Sequence, residues 1–354
     1  MLPSVGTRIA WLATEQEGPL MTTAKDIVVT LEAQGALPNH RYDLMQPLLQ
    51  GRVPLDGVRI EVSPPSQSAG YFDNPKFREG DFGLLDVNVG DVLPAIEAGW
   101  DMVCLPVFNK RKPVYNFLWV RADRGIDSPK DLEGKTLATV GYSSSISTYS
   151  RGLLQRFYGV DITKLRWLSA APGRFPLHQG VDSQVEYATG ERKSPQQRLL
   201  DGEVDGSTGD ITDAATWAAL EASPLVKRLF TDYQELNRRL WLEHQVLTPT
   251  HIIVMGGKLA RSNPGLARKL YDAFDQSKQL AVADMLGDGT GYSMLLHTRE
   301  AMRDQLSELG DMYPMGIAAN RNTIDWFLDF NVEQGLTEKC MTYDKLFAPG
   351  TLDT

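Results

Sequence analysis

One stretch near the middle of the chain combines a strand, a tight turn and the beginning of a helix. It reads KTLATVGYSSSISTYSRG, residues 135–152. Residues 136–140 are short, apolar and partly β-branched, as expected of a buried strand, and Gly141 ends them before three consecutive serines. Serine is a preferred N-cap, so a helix is predicted from Ile146 onward. The stretch predicts a strand–helix unit of the kind that builds α/β folds.

The same alternation of strands and helices extends over the chain. Strands are predicted at 26–31, 58–62, 81–89, 102–108, 115–120, 136–140, 165–168, 204–209 and 250–254. Helices are predicted at 42–49, 92–97, 146–158, 195–201, 214–222, 263–286, 299–309 and 321–334. Such alternation predicts an α/β architecture with mixed, mostly parallel sheets.

The order of these elements suggests two lobes with a ligand cleft between them. Lobe 1 would comprise residues 21–122 and 242–354, and lobe 2 residues 123–241. Residues 1–20 would be a poorly ordered N-terminal extension. The polar segment 170–193 is long for a loop, and loops of that length are usually functional or mobile.

Charge and composition narrow the class of partner. The net charge of −9 argues against nucleic acid or an anionic membrane as a partner. No apolar run approaches the roughly 20 residues of a membrane helix, and the N-terminus does not resemble a secretory signal. Two cysteines are too few for a disulfide framework. We therefore expect a cytoplasmic protein that binds a small molecule, and the sequence leaves a homo-oligomer open.

The turn after the central strand is a candidate anion site. Backbone N–H groups and the positive end of a helix dipole attract anions, and Ser143, Ser144 and Ser145 add hydroxyl donors. Arg151 follows about two helical turns later and could reach back to the same place. Asn88 ends another predicted strand, where it would face a ligand. The alternative is an ordinary strand-to-helix turn with a serine N-cap.

Several segments together resemble one family. They are GRVPLDGVRIEV, FNKRKPVYNFLWVRADRGIDSPKDLEGKTLATVGY, RGLLQRFYGVD, RLFTDYQEL, THIIVM, ANRNTIDWFLDFNVEQGL and YDKLFAP. In this order, over about residues 24–350, they resemble the 4,5-dihydroxyphthalate decarboxylase family. The resemblance implies a two-lobed type II periplasmic-binding-protein-like fold. It also implies loss of CO2 from an aromatic acid that bears hydroxyl groups.

The resemblance also implies site residues. Arg111, Arg151 and His251 stand where the family has two arginines and a strand histidine. Asp86 replaces a usual glutamate, and Tyr115 stands where histidine is common. The serine turn replaces a PEYQMT turn; it keeps a tyrosine and has a serine in place of the threonine, and its residues are Tyr142, Ser143, Ser144 and Ser145.

These residue types suit a decarboxylation. The planar fork of arginine pairs both oxygens of a carboxylate, which makes Arg111 and Arg151 substrate-binding candidates. His251 is the predicted proton donor, because imidazole exchanges a proton near neutral pH. Asp86 could orient His251, bind a phenol or act as a base. Structural roles stay open: a hydrogen-bonded core histidine, a solvated basic turn around Arg111, an intrahelical ion pair for Arg151 and a helix cap for Asp86.

The expected chemistry needs no cofactor. Dinucleotide, P-loop and G-x-S-x-G sequences are missing, and no metal site is predicted, although a divalent metal held by Asp86, His251 and the substrate remains open. We expect cofactor-independent or metal-assisted decarboxylation of a hydroxylated aromatic carboxylic acid. The substrate would resemble 4,5-dihydroxyphthalate and give a protocatechuate-like product. The alternative is a solute-binding protein for an aromatic or other small organic anion, without turnover. A protein of the thiamine-pyrimidine synthase type is disfavoured, because such proteins carry a cysteine-rich segment and this chain has two isolated cysteines.

Overall fold

Two six-stranded sheets organise the protein. The structure is a computed structural model that describes residues 26–33, 42–63, 73–288 and 294–354. The strands are β1 Ile27–Ala33, β2 Val58–Val62, β3 Leu84–Asn88, β4 Met102–Cys104, β5 Lys110–Arg111, β6 Trp119–Arg121, β7 Thr136–Thr139, β8 Arg166–Ser169, β9 Val185–Tyr187, β10 Gly206–Ser207, β11 Val226–Arg228 and β12 Pro249–Gly256. The predicted extension at residues 1–20 lies outside the described residues.

Helices connect the strands and make up much of the C-terminal part of the chain. They are α1 Gln46–Leu49, α2 Pro75–Arg78, α3 Val89–Glu97, α4 Ser145–Tyr158, α5 Pro195–Leu200, α6 Ala214–Ala222, α7 Tyr233–His244, α8 Gly257–Ser262, α9 Leu266–Asp288, α10 Thr298–Leu309, α11 Arg321–Glu333 and α12 Tyr343–Leu346. Of the helices in the described ranges, none is long and apolar enough to cross a membrane.

Both sheets are mixed. In the first sheet, with the order β2-β1-β3-β12-β4, β1 is parallel to β2 and β3, whereas β12 runs antiparallel to β3, β4 and β5. In the second sheet, with the order β11-β6-β10-β7-β8-β9, the strands from β10 to β9 are parallel. Strand β6 is antiparallel to β10 and β11. The predicted α/β architecture with mixed sheets is confirmed, but the sheets are not mostly parallel, because five of the ten pairings between the described strands are antiparallel.

The central strands β3 and β12 of the first sheet are buried on both faces. Alternate residues of β3 and β12, such as Leu84 and Met255, belong to an apolar cluster that includes Phe274 of α9. Their neighbours Leu85 and Val254 belong to a second cluster that continues into the other sheet. Side chains alternate between the faces of a strand, so near-continuous apolar sequence is expected for a sheet covered on both sides.

The chain passes between the sheets earlier than expected. Residues 115–120 were predicted to be one strand, but Val114–Phe117 form a 3-10 turn after Pro113, and only Trp119–Arg121 pair as β6. The prediction for 115–120 is therefore wrong in its first half. The aromatic residues that suggested a strand pack as buried turn residues, because the chain leaves β5 of the first sheet here and enters β6 of the second. The predicted lobe limit at residue 122 lies after this change of sheet.

Two other predicted segments also differ. Of the predicted strand 102–108 only Met102–Cys104 form a regular strand, and the next strand comprises Lys110–Arg111. The long segment 170–193 contains strand β9, Val185–Tyr187, which extends the edge of the second sheet. Pairing with neighbouring strands, which a single sequence does not show, decides both lengths.

Candidate active site

A buried aspartate and a histidine from neighbouring strands form a close pair. The antiparallel register of β3 and β12 sets His251 opposite Asn88 and Ile253 opposite Asp86, so these side chains share one face of the sheet. His251 Nδ1 lies 2.6 Å from Asp86 Oδ1, and the side chains are 12% and 0% exposed. An ionised carboxylate only accepts hydrogen bonds, so Asp86 fixes the proton on Nδ1.

Two lysines lie beside this pair and form a bridge to the second sheet. Strand β5 sets Lys110 opposite His251 on the other side of β12. Lys110 Nζ is 3.3 Å from Asp210 Oδ2, and Lys112 also pairs with Asp210. Asp210 follows β10 of the second sheet, so the bridge connects the two lobes.

Charge and burial act against each other in this bridge. Burial alone would raise the pKa of Asp210, but Lys110 and Lys112 hold that pKa below its usual value. Burial lowers the pKa of Lys112, and the charge of Asp210 partly offsets this effect. The aspartate is therefore ionised at neutral pH and neutralises part of the positive charge at the cleft.

A tyrosine lies near the carboxylates of both lobes. The pKa of Tyr42 is raised first by burial and then by the charges of Asp86 and Asp210. Tyr42 lines the same cavity as Lys110 and Lys112, and its raised pKa keeps the phenol protonated. We call the group that results the cleft cluster; it consists of Tyr42, Asp86, Lys110, Lys112, Asp210 and His251.

A cavity of about 540 Å³ opens beside the cleft cluster, and we call it the main cavity. The N-terminal part of the chain and β5 contribute one wall, which includes Tyr42, Lys110 and Lys112. The rest of the lining comes from α9, α10 and the segment after α10, and its residues are Lys278, Ala281, Val282, Met285, Met302, Gln305, Leu306, Asp311, Met312 and Tyr313. The space has the size of a typical small-molecule site.

The predicted serine turn forms a second, smaller cavity and contacts the first lobe. Asn88, Tyr142, Ser143 and Ser144 line a space of about 180 Å³. Ser143 Oγ donates to Asp91 Oδ1 at 3.0 Å. At the start of α4 the backbone N–H of Ser145 donates to Asn88 Oδ1 at 3.3 Å, and its hydroxyl donates to the carbonyl of Thr250 at 3.4 Å. The side-chain oxygen of Asn88 therefore already accepts one of the backbone N–H groups that the predicted anion site would offer to a ligand.

The two predicted arginines are buried and contact the C-terminal part of the chain. Arg111 donates to the Pro314 carbonyl at 2.9 Å and to Asn320 Oδ1 at 2.5 Å. Arg151 donates through Nε to Gln334 Oε1 and through Nη2 to the Tyr142 carbonyl, each at 2.7 Å.

Burial lowers the pKa of both arginines, that of Arg111 to about 10. The guanidinium of Arg151 also lies 3.8 Å from the centre of the Tyr142 ring. Both arginines thus already have protein partners, and their role as carboxylate ligands stays a prediction.

The predicted tyrosines lie in different surroundings. Tyr115 packs edge-on against Phe230, with ring centres 4.9 Å apart, and burial raises the pKa of its phenol. With Phe157 and His244 it lines a separate cavity of about 260 Å³. Tyr142 donates its hydroxyl to the Gln334 carbonyl at 3.3 Å. The structure therefore brings Asp86, His251 and Asn88 together on one sheet face and places Tyr115 in another cavity.

Sequence reasoning missed four members of the cleft cluster: Tyr42, Lys110, Lys112 and Asp210. The alternation Lys-Arg-Lys in β5 was available as a signal, since residues two apart point to the same side of a strand. Asp210 follows the short strand β10, and strand ends are where α/β proteins place binding residues. Tyr42 had no comparable signal.

The described residues contain no group of three or more histidine, cysteine, aspartate or glutamate side chains that could hold a metal ion. Asp86 and His251 would supply two ligands, and a substrate would have to complete the site. The expectation that no cofactor is needed stays a prediction.

Comparison with known proteins identifies relatives and the fold. The sequence model of the family described as NMT1/THI5 like matches residues 56–284. A protein of Comamonas testosteroni named 4,5-dihydroxyphthalate decarboxylase is 27% identical over 321 residues, which cover 88% of this chain and 96% of that protein. A Pseudomonas putida protein of the same name is 26% identical over 200 residues, 54% of this chain and 75% of its own length. The resemblance read from the sequence is confirmed.

Solved structures with the same fold are more distant in sequence. The periplasmic sulfonate-binding protein SsuA from Methylobacillus flagellatus aligns with a TM-score of 0.55 at 13% identity, over 93% of each chain. A protein from Bordetella bronchiseptica aligns with a TM-score of 0.52 at 12% identity, over 93% of this chain and 96% of its own. The type II periplasmic-binding-protein-like fold is confirmed. By its matching family model, which covers more than half of the sequence, the chain belongs to the NMT1/THI5-like family.

Proposed function

We propose that this protein is a carboxy-lyase that removes CO2 from a hydroxylated aromatic carboxylic acid. The observation that carries the proposal is the Asp86–His251 pair, in which a fully buried carboxylate holds an imidazole 2.6 Å away beside two lysines. The names of the two curated relatives support an acid that resembles 4,5-dihydroxyphthalate.

The reaction needs a proton at the carbon that loses the carboxylate. The C–C bond breaks, its electron pair stays on the ring carbon, and CO2 leaves as a neutral molecule. Protonated His251 would give its Nε2 proton to that carbon, while Asp86 keeps hold of Nδ1–H and stabilises the imidazolium before the transfer. A ring hydroxyl makes the carbon more electron-rich and therefore easier to protonate.

Lys110 and Lys112 suit a substrate group that stays negatively charged throughout the reaction. A cation paired with the departing carboxylate would stabilise the starting acid more than the transition state, because that carboxylate becomes neutral CO2. Lys110 and Lys112 are therefore assigned to a carboxylate or phenolate that remains on the ring. Protonated Tyr42 can donate a hydrogen bond to a ring oxygen next to it.

Binding without turnover is the second candidate. The cation-lined main cavity and the fold shared with a sulfonate-binding protein would serve a receptor for a small organic anion equally well. The two candidates differ in one measurable respect, the release of CO2.

The test incubates the purified protein with a panel of hydroxylated benzoates and phthalates and measures CO2 release, with and without a chelator. His251→Asn should slow release about 10²–10⁴-fold, the usual contribution of a general acid. His244→Asn is the matched control, because that imidazole is 33% exposed and lies in the separate cavity near Phe157. Calorimetric binding of several acids with no CO2 from any of them would establish the receptor. Loss of release with chelator would establish a metal requirement.

A further inference from the structure

We propose that the ligand acid carries an uncharged, flexible apolar substituent, and that this substituent binds in the main cavity between α9 and α10. The inference rests on the proposed function only in placing the acid group at the cleft cluster.

The lining of the main cavity includes both charged and apolar side chains. Lys110 and Lys112 belong to the cleft cluster and lie on β5 and directly after it. Away from them the wall also holds Gln305 and the Lys278–Asp311 ion pair, beside the apolar side chains of Val282 and Met285 of α9, Met302 and Leu306 of α10, and Met312. We call these five apolar side chains the methionine sleeve. An anion that also has an apolar part fits both kinds of side chain.

Helix periodicity shows that the sleeve is a surface shared by two helices. On α9 the residues facing the cavity are Lys278, Ala281, Val282 and Met285, which recur at spacings of three and four. On α10 they are Met302, Gln305 and Leu306. Residues spaced by three and four lie on one face of a helix, so each helix turns a single stripe toward the cavity.

The volume exceeds what one ring needs. A buried cavity of about 150 Å³ is enough to bind benzene. The main cavity measures about 540 Å³, so a ring with its carboxylate and hydroxyl groups leaves most of the sleeve empty. A substituent of several carbon atoms would fill the remaining space.

The side chains of the sleeve also define the chemistry of this substituent. Methionine is unbranched and polarizable, and it adapts to ligands of irregular or variable shape. Asp43 and Asp311 line the cavity as well, and Lys278 of the same wall is already paired with Asp311, so the sleeve offers little attraction to a second negative charge on the substituent. A flexible alkyl group satisfies both conditions.

The test measures affinity by calorimetry for 4-hydroxybenzoate and for 3-alkyl-4-hydroxybenzoates from methyl to hexyl. Burial of one methylene is worth about 0.8 kcal/mol, and a tenfold change in affinity corresponds to about 1.4 kcal/mol. We therefore expect Kd to fall about fourfold with each added carbon until the sleeve is full. Kd values independent of chain length, or no binding by any member, would overturn the inference.

Variants locate the effect. Met302→Gln keeps the length of the side chain but makes it polar, and it should flatten the dependence of Kd on the length of the alkyl chain. Met294→Gln is the control, because Met294 is 105% exposed and does not line the main cavity. An unchanged series in Met302→Gln would also refute the site.

Binding and turnover separate this inference from the proposed function. If affinity rises with chain length but no member releases CO2, the sleeve is supported and the carboxy-lyase fails. If CO2 is released and affinity ignores chain length, the reverse holds.

Discussion

His251 allows the sharpest test of the site, because its role as a proton donor and its role as a partner of Asp86 can be separated. In His251→Asn the shorter side chain cannot keep the 2.6 Å contact with Asp86 Oδ1. Asp86 Oδ2 already has no hydrogen-bond partner in the part of the chain that the structure describes. The substitution would therefore leave a fully buried carboxylate with neither oxygen bonded.

The expected loss of stability follows from this geometry. Breaking a buried ion pair by removing one partner costs about 3–5 kcal/mol, and we expect a decrease of that size in the free energy of unfolding of His251→Asn. The double variant His251→Asn, Asp86→Asn removes the buried charge as well, so most of the stability should return. Turnover should not return, because a general acid contributes about 10²–10⁴-fold and both variants lack it.

The assay combines two measurements on each protein. Urea unfolding gives the free energy of unfolding, and single-turnover CO2 release at saturating acid gives the rate for the folded fraction. A wild-type rate in the double variant would refute the role of His251 as proton donor. Equal stability of the single and the double variant would refute the account of the buried pair.

Three further predictions concern the bridge between the lobes and the buried arginine. In Asp210→Asn the ligand no longer competes with a carboxylate for Lys110 and Lys112. Since a charge-assisted hydrogen bond is worth about 1.5–3 kcal/mol, binding of 4-hydroxybenzoate should tighten roughly tenfold. Unchanged affinity by calorimetry would contradict this prediction. The lowered pKa of Asp210 means that its bridge stabilises the protein fully above the ordinary aspartate range and is lost as pH falls through the lowered pKa. The difference in melting temperature between wild type and Asp210→Asn should accordingly be constant from about pH 7 to 5 and disappear in acid below about pH 4. Arg151→Ala should lower the free energy of unfolding by about 2–5 kcal/mol, as substitution of other large buried side chains does. Arg156→Ala is the control and should lower it much less, because the side chain of Arg156 is 30% exposed. Weaker binding of the acid by Arg151→Ala at an unchanged melting temperature would instead identify Arg151 as a ligand.

The sequence predicted the helices and strands of this fold better than it predicted which strands pair with each other. Long periodic segments such as α10 and α11 were predicted to within one residue at each end, because helix period and caps are local properties. Segment 115–120 was misassigned because β-branched and aromatic residues favour strands only where a neighbouring strand is present.

For the candidate site the limit is sequence distance. Asp86 and His251 are 165 residues apart, and only the pairing of β3 with β12 brings them together. The sequence could nominate both residues but could not show that they touch. Arg151 poses a different difficulty. Its partners are the side chain of Gln334 and the Tyr142 carbonyl, and contacts with uncharged groups leave no charge pattern in the sequence.

The contact between Asn88 and α4 has a consequence for ionic strength. Asn88 Oδ1 accepts the N–H of Gly90 at the start of α3 at 2.9 Å and that of Ser145 at the start of α4. This joint between the lobes involves a neutral oxygen and two helix ends, whereas the second joint, Asp210 with its lysines, involves full charges. Salt screens charges over a Debye length of about 10 Å at 0.1 M and about 3 Å at 1 M. Concentrated salt should therefore loosen the cleft on the lysine side first, with the Asn88 side acting as the pivot.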